Sequence, residues 1–426
     1  MHKGKISIKL AKDGIGRRSG QECVAGLVMG GVAPKVSPTV PNPAQLNTPY
    51  ILYSKQNAVD LGLDSAYDLA NQVLVAYHIC EYFRMNPGGE LHIMLVAQGT
   101  TMTDMADPTM PYLQTLLQNA NGSITQAGVV LNPPVGYVDA ITGGFNADAY
   151  TAVAMAQTLA DSEFNCKRPI DNIMIEGRCF TPPVSTVQDL QTMQGGPFPN
   201  SSVVIAQDPY ISTQDKEFEK TAAIGTALGA ACNRDCHENM ANPIDQFNLT
   251  EAATGEFLEP YHSGHAAMST LGDADIEALD GKNYIFACTI PSYSGVYFNG
   301  MWNAAPRTSD LNSVECLSVI NKAIRLVYQY LVPWICRTVE VTPAGRLSPI
   351  IRATIQGEIQ GLIETNMINN ISEVRYVIAD PDTDPDGNVL IPFAKGGCLN
   401  IQIGIVKKGK VECIDLCIGY TLDAEN

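Results

Sequence analysis

From residue 66 to residue 231 the chain alternates segments of helical periodicity with short apolar runs, and no other feature restricts the fold as much. Leu69, Val73, Tyr77 and Cys80 fall on one stripe of a helix predicted over 66–84. The "MNPGG" that follows stops it, and "ELHIMLVAQ" reads as a buried strand. The pattern recurs as "AGVVL" near Ala127, a helix over 147–161, "NIMIEG" near Asn172, "SVVIAQD" at 202–208, and an Ala/Gly-rich helix over 216–231. Strands that bury both faces against helices give a layered α/β domain. Ahead of it, "VAGLVMGG" at 24–31 and "YILYS" at 50–54 read as strands, separated by an irregular stretch carrying five prolines from Pro34 to Pro49.

The last third is organised differently. Strands are expected over 283–290 and 295–302, joined by "PSYS". A long amphipathic helix follows from about 309, with Leu311, Leu317, Ile320, Ile324, Val327 and Leu331 as its apolar stripe and Pro333 as its stop. Its other side carries Glu315, Lys322, Arg325 and Gln329, a face for solvent or for a partner. Ser348 and Pro349 have the N-cap and first-turn arrangement of a further helix. Then come "EVRYVIAD", the turn "PDTDPDGN", "LNIQIGIV" and the terminal "VECIDLCIGYTL". The expected class is mixed α/β (α+β).

Both chain ends alternate with period two. Ile6, Ile8 and Leu10 share one face of the first, and Ile414, Leu416, Ile418, Tyr420 and Leu422 share one face of the last. Neither end has a bulge or proline, the devices with which soluble monomers blunt an exposed strand, so both are expected to pair with a partner. Composition points the same way. Apolar residues are 45% and charged residues 17%, which leaves much of the surface for protein contact. With a formal net charge of −17 and no basic run longer than Lys407–Lys408, direct nucleic-acid binding is not expected. No apolar leader region and no run of eighteen apolar residues occur, so neither a secretory signal nor membrane insertion is expected. Twelve cysteines, spread from Cys23 to Cys417, read as reduced, buried small hydrophobes.

Candidate chemistry is sparse. "GIGRRSG" at 14–20 has the wrong glycine spacing for a dinucleotide fingerprint and precedes a strand, so it reads as a turn. Cys232, Cys236 and His237, with His262 and His265 downstream, carry zinc-ligand types at a spacing that fits no standard zinc module. "DTDPDG" at 382–387 begins like a calcium loop, but Phe393 stands where the bidentate Glu belongs. No nucleophile elbow, zincin helix or P-loop occurs. The expectation is therefore no enzyme, no cofactor and no metal.

Two stretches carry a family resemblance. The opening "KISIKLAKDGIGR…VAGLVM" and the run "DGKNYIFACTIPSYSGVYFNGMWNAAPRTSDLNSVECLSVINKAIRLVYQYLVP" resemble contractile tail sheath proteins of bacteriophages and phage-derived injection systems, in particular a divergent branch typical of Bacteroidetes phages and prophages. The resemblance implies an N-terminal strand arm (1–20), an α/β sheath domain with room for an inserted subdomain (21–270), a C-terminal sheath core (271–410) and a C-terminal strand arm (411–426). In this family the arms add strands to neighbouring subunits' sheets, which here would fall to Ile6, Ile8, Leu10, Ile414, Leu416, Ile418 and Tyr420. It further implies self-assembly into stacked rings around a tail tube protein, contact with baseplate and tail terminator proteins, and a place in the virion tail after assembly in the host cytoplasm. Two alternatives stand beside this reading: a cytoplasmic nucleotide-dependent α/β enzyme, and a secretion-system sheath or baseplate subunit.

Overall fold

A computed structural model describes residues 22–381 and 399–410. The chain divides into two compact units, one ending at Arg325 and the other beginning at Leu326. Residues 271–325 thus lie in the first unit.

The first unit is built on a six-stranded sheet in the order Pro49–Leu52, Leu91–Ala97, Ala25–Gly31, Gln126–Val130, Asn172–Glu176 and Ser201–Val204. All neighbours are parallel except Pro49–Leu52, which runs antiparallel to Leu91–Ala97 at the edge, where a leading proline is tolerated. The continuous apolar runs follow from burial on both faces. Leu27 and Met29 project into one layer, against Ile79, Tyr82 and Phe83 of helix Val75–Met85 and Ala227 and Leu228 of helix Ile224–Cys232. Val28, Val129, Ile173 and Ile175 project into the other, against Leu116 and Leu117 of helix Leu113–Asn119 and Ala152, Val153 and Ala156 of helix Asp148–Asn165. The expected layered α/β architecture is present.

Two glycines set the spacing of one helix pair. A Cβ on Gly225 would lie 2.2 Å from the His78 carbonyl oxygen, and one on Gly229 would lie 2.7 Å from that of Tyr82. One turn apart on the same face, they let Ile224–Cys232 pack against the backbone of Val75–Met85. The Gly225 N–H, without a partner inside its own helix, donates to His78 Nδ1 at 3.2 Å. Burial lowers the His78 pKa to about 3, which keeps that nitrogen an acceptor at neutral pH.

Several predicted elements are broken where side chains take over backbone hydrogen bonds. The helix expected over 66–84 is two, Ser65–Asn71 and Val75–Met85, separated at Gln72 with φ of 52°. Asp68 restarts the helix by accepting the N–H groups of Val75, Ala76 and Tyr77. The expected stripe dissolves accordingly: Leu69 and Cys80 are exposed, and Val75, Ile79, Tyr82 and Phe83 form the buried face. The 216–231 helix shrinks to Ile224–Cys232 after a short turn, because Gln207 takes the carbonyls of Glu219 and Thr221 and Glu176 takes the Ala222 N–H. The strand pair of the last third contracts to Ala287–Thr289 and Val296–Phe298, since Asn299 accepts from the Phe286 N–H and donates to the Tyr284 carbonyl. Of the nine described cysteines, all thiols, Cys80, Cys166 and Cys336 are exposed rather than buried.

Burial pushes the carboxyl of Asp208 up to about 7, with the charges of Glu81 and Glu256 adding to the effect against N–H bonds from Phe257 and Tyr210. The folded pKa lies above the unfolded one near 4, so this contribution to stability is full below pH 4 and is lost as pH rises through 7. Wild type is therefore expected to lose thermal stability between pH 5 and pH 8, and Asp208→Asn to lose less. Calorimetric scans at the two pH values check this; equal losses would contradict it.

In the second unit, Ser348 Oγ accepts the Ile351 N–H and Pro349 occupies the first turn of helix Pro349–Asn366, as the sequence predicts. Ile355, Ile359 and Ile363, four apart, are fully buried on this helix, which packs against the hairpin strand Ile371–Pro381. That strand pairs antiparallel with Leu399–Lys407. The long helix Val314–Leu331 begins in the first unit, five residues later than expected, and continues into the second. Ile320 of its expected apolar stripe is 36% exposed, while Ser318 and Asn321 are buried.

Candidate functional site

The arm residues expected to carry assembly, Ile6, Ile8, Leu10, Ile414, Leu416, Ile418 and Tyr420, lie outside the described residues, as do the 14–20 turn and the 382–387 loop. The hairpin of the second unit and the surroundings of Glu22, the first described residue, are described.

The hairpin of the second unit has eleven residues in Ile371–Pro381 and nine in Leu399–Lys407. No third strand joins it among the described residues. Its two edges differ. Ile371–Pro381 has register shifts between Ile371 and Glu373 and between Val374 and Tyr376, and its Val377 carbonyl already accepts from Gln356 Nε2 at 2.7 Å. Such bulges twist an edge away from a partner. Leu399–Lys407 has no extra residue and no proline, and it alternates more and less exposed positions from Leu399 to Ile403. At Gly404 the Tyr376 ring crosses the backbone so closely that a Cβ would lie 2.5 Å from it. The smooth edge of Leu399–Lys407 is the better template for an added strand.

At the other end of the described chain, Glu22 is clasped. Lys322 Nζ donates to its Oε1, and the Cys236 N–H donates to its Oε2 at 3.0 Å. Burial would raise this carboxyl, but Lys322 and the Cys236 N–H outweigh it and hold it below the usual range, so Glu22 is charged at neutral pH. The loop that supplies Cys236 is fixed by Arg234, whose Nη1 donates to the carbonyls of Asp235, Cys236 and Glu238 and whose Nη2 donates to Ser318 Oγ.

On the first-unit part of the long helix, Glu315, Lys322 and Arg325 thus pair with residues of the first unit. Asn239 donates to Glu315, and Asn321 and Arg325 both reach Asp171 Oδ1, at 2.9 and 3.2 Å. Of the four residues singled out there, Gln329 is exposed. Glu22 and Asp171 precede two strands of the sheet, so the helix is held along the amino ends of the strands by a charged seam. Sequence gave no sign of it, because the partners lie 150 to 300 residues apart.

At the carboxyl ends of the same strands, where doubly wound sheets bind nucleotides, buried side chains bridge the strand ends to neighbouring backbone. Glu176, fully buried, accepts the N–H groups of Leu131 and Ala222. Asn132 bridges the Gly30 carbonyl and the Leu74 N–H. A Cβ on Gly30 would lie 2.2 Å from the Leu131 carbonyl oxygen. Of the metal candidates, Cys232 is packed in the core beside Cys23, and His262 accepts the Gly264 N–H with its pKa lowered to about 4 by burial. No three potential ligands converge among the described residues, and no helix there is long and apolar enough to cross a membrane.

Residues 3–301 match a family profile described as "DUF2586, N-terminal domain". The chain belongs to the DUF2586 family. No curated protein shows significant sequence similarity to this DUF2586 chain. Solved structures share its fold over essentially the full length. A chain in the cryo-EM structure of the 6-fold symmetrised anti-feeding prophage baseplate is 12% identical with a TM-score of 0.58, covering 98% of this chain and 99% of that one. A chain of the contracted sheath complex of PVC, an extracellular contractile injection system, is 11% identical with a TM-score of 0.55, covering 100% and 98%. A chain in the contracted anti-feeding prophage baseplate is 13% identical with a TM-score of 0.58, covering 99% and 98%. The fold of this DUF2586 chain is thus one found in contractile injection systems.

Proposed function

We propose that this protein is the structural subunit of a contractile tail sheath, which polymerises around a tail tube and contracts to drive the tube through a target cell envelope. The observation that carries the reading is the hairpin Ile371–Pro381/Leu399–Lys407, whose smooth edge has no third strand among the described residues, in a chain whose two ends are alternating strand sequences. The amino-terminal arm of a second copy, with Ile6, Ile8 and Leu10 on its inner face, completes that sheet, and the carboxyl-terminal arm, with Ile414, Leu416, Ile418 and Tyr420, adds to a neighbour in turn. Head-to-tail contacts close into rings where the rotation allows and otherwise propagate as an open helix, and together they build a helical stack of rings. Its partners are itself, the tail tube, the baseplate and the tail terminator. It works in the tail after assembly in the host cytoplasm, and it needs no cofactor or catalytic residue. Contraction is repacking of subunits from a metastable extended array.

A second reading, a sheath-like subunit confined to the baseplate, is favoured by the likeness to chains of two baseplate structures. Negative-stain microscopy of the purified full chain tests both. Tubes with a wide lumen support the sheath, and single rings that do not stack support the baseplate subunit. Uniform monomers that bind nucleotide would overturn both in favour of an enzyme.

A further inference from the structure

We propose that the clasp on Glu22 is a positioning device for the N-terminal segment: Lys322 and the Cys236 N–H fix where, and in which direction, the segment leaves the subunit for its neighbour. This rests on the sheath reading. The 21 residues ahead of Glu22 span about 70 Å if extended, so a loosely rooted segment samples a large volume. Fixing the root concentrates the segment near its acceptor and lowers the ordering cost of strand addition.

Three features separate the clasp from an ordinary surface ion pair. Both partners are largely buried, with side-chain exposures of 16% for Lys322 and 23% for Glu22. Both Glu22 oxygens are engaged, from two different elements. The donors are held in turn, since Arg234 ties the Cys236 loop to Ser318, one turn before Lys322 on the same helix. Just inside the clasp, Thr125 Oγ1 donates to Cys23 Sγ at 3.2 Å and the Ala25 N–H reaches the Glu90 carbonyl. The core strand is therefore held independently of Glu22.

The test compares Glu22→Gln, Lys322→Met and Lys322→Arg in the full chain, reading the critical concentration for polymerisation by sedimentation and subunit unfolding by calorimetry. Glu22→Gln and Lys322→Met are expected to raise the critical concentration about tenfold, equivalent to about 1.4 kcal/mol, a larger effect than their accompanying fall in unfolding temperature accounts for. Lys322→Arg, which keeps the charge, restores it to within about threefold, equivalent to about 0.7 kcal/mol. If wild type polymerises and the charge-removing variants match it, or lose polymer only in proportion to lost subunit stability, the positioning role is overturned and the sheath reading stands. If wild type itself forms no polymer, both fall.

Discussion

Deleting residues 1–12 is expected to leave a folded subunit that no longer polymerises. Among the described residues, the two hydrophobic layers of the first unit are built from Cys23 onward, and Glu22 and Cys23 supply the hydrogen bonds that root the chain there. Removal of the first twelve leaves these layers and bonds in place. It takes Ile6, Ile8 and Leu10, which on the sheath reading form one face of an added strand, and the main-chain donors and acceptors between them. At about 1 kcal/mol for each net hydrogen bond, an added strand with four or five bonds is worth several kcal/mol, well beyond the about 2.7 kcal/mol that separates a hundredfold change in affinity. Sedimentation should find the truncated chain as monomer at a hundred times the wild-type critical concentration, with an unchanged unfolding transition. A truncated chain that is unfolded, or that polymerises like wild type, would contradict the account.

Gly225→Val should have the largest effect on the subunit itself. The new Cβ would meet three backbone atoms of His78, its O, Cα and C at 2.2, 2.6 and 2.7 Å, and backbone cannot swing aside as a side-chain tip can. The two helices must part, which unpacks Ile79 and Tyr82 from Ala227 and Leu228 and breaks the Gly225 N–H bond to His78. A loss of about 3 kcal/mol or more is expected, at or beyond the upper end for overpacking a core. Gly357→Ala provides the contrast. It lies within helix Pro349–Asn366, a Cβ there would meet nothing within 4 Å, and a gain of about 0.5–1 kcal/mol is expected. Denaturant unfolding of the two variants checks both signs; a Gly225→Val protein as stable as wild type would show that the close helix contact is not needed.

Most of the α/β alternation was legible because burial on both faces leaves continuous apolar runs, as in "LHIMLVA" and "NIMIE". Helix Pro349–Asn366 was legible from its cap. What escaped were backbone groups claimed by distant or irregular side chains: Asp68 restarting a helix, Gln207 and Glu176 shortening another, Asn299 trimming a strand. These bonds leave no periodicity. The charged side of the long helix was misread for the same reason, since Glu22 and Asp171 become its partners only once the sheet has formed. For the candidate site, both hairpin strands could be read as strands, but that they stand as a two-stranded sheet with one smooth edge is a property of register and bulges. The alternating ends were plain in the sequence, and they lie outside the described residues.

The most direct measurement is a cross-link between copies. A photo-reactive phenylalanine at position 8 in isotopically light subunits is mixed with unlabelled-site heavy subunits, polymerised, irradiated, and analysed by mass spectrometry. Strand exchange between copies predicts light-to-heavy cross-links from position 8 into residues 399–407. Polymers in which position 8 cross-links only within its own light chain, or to no residue of the hairpin, would contradict it.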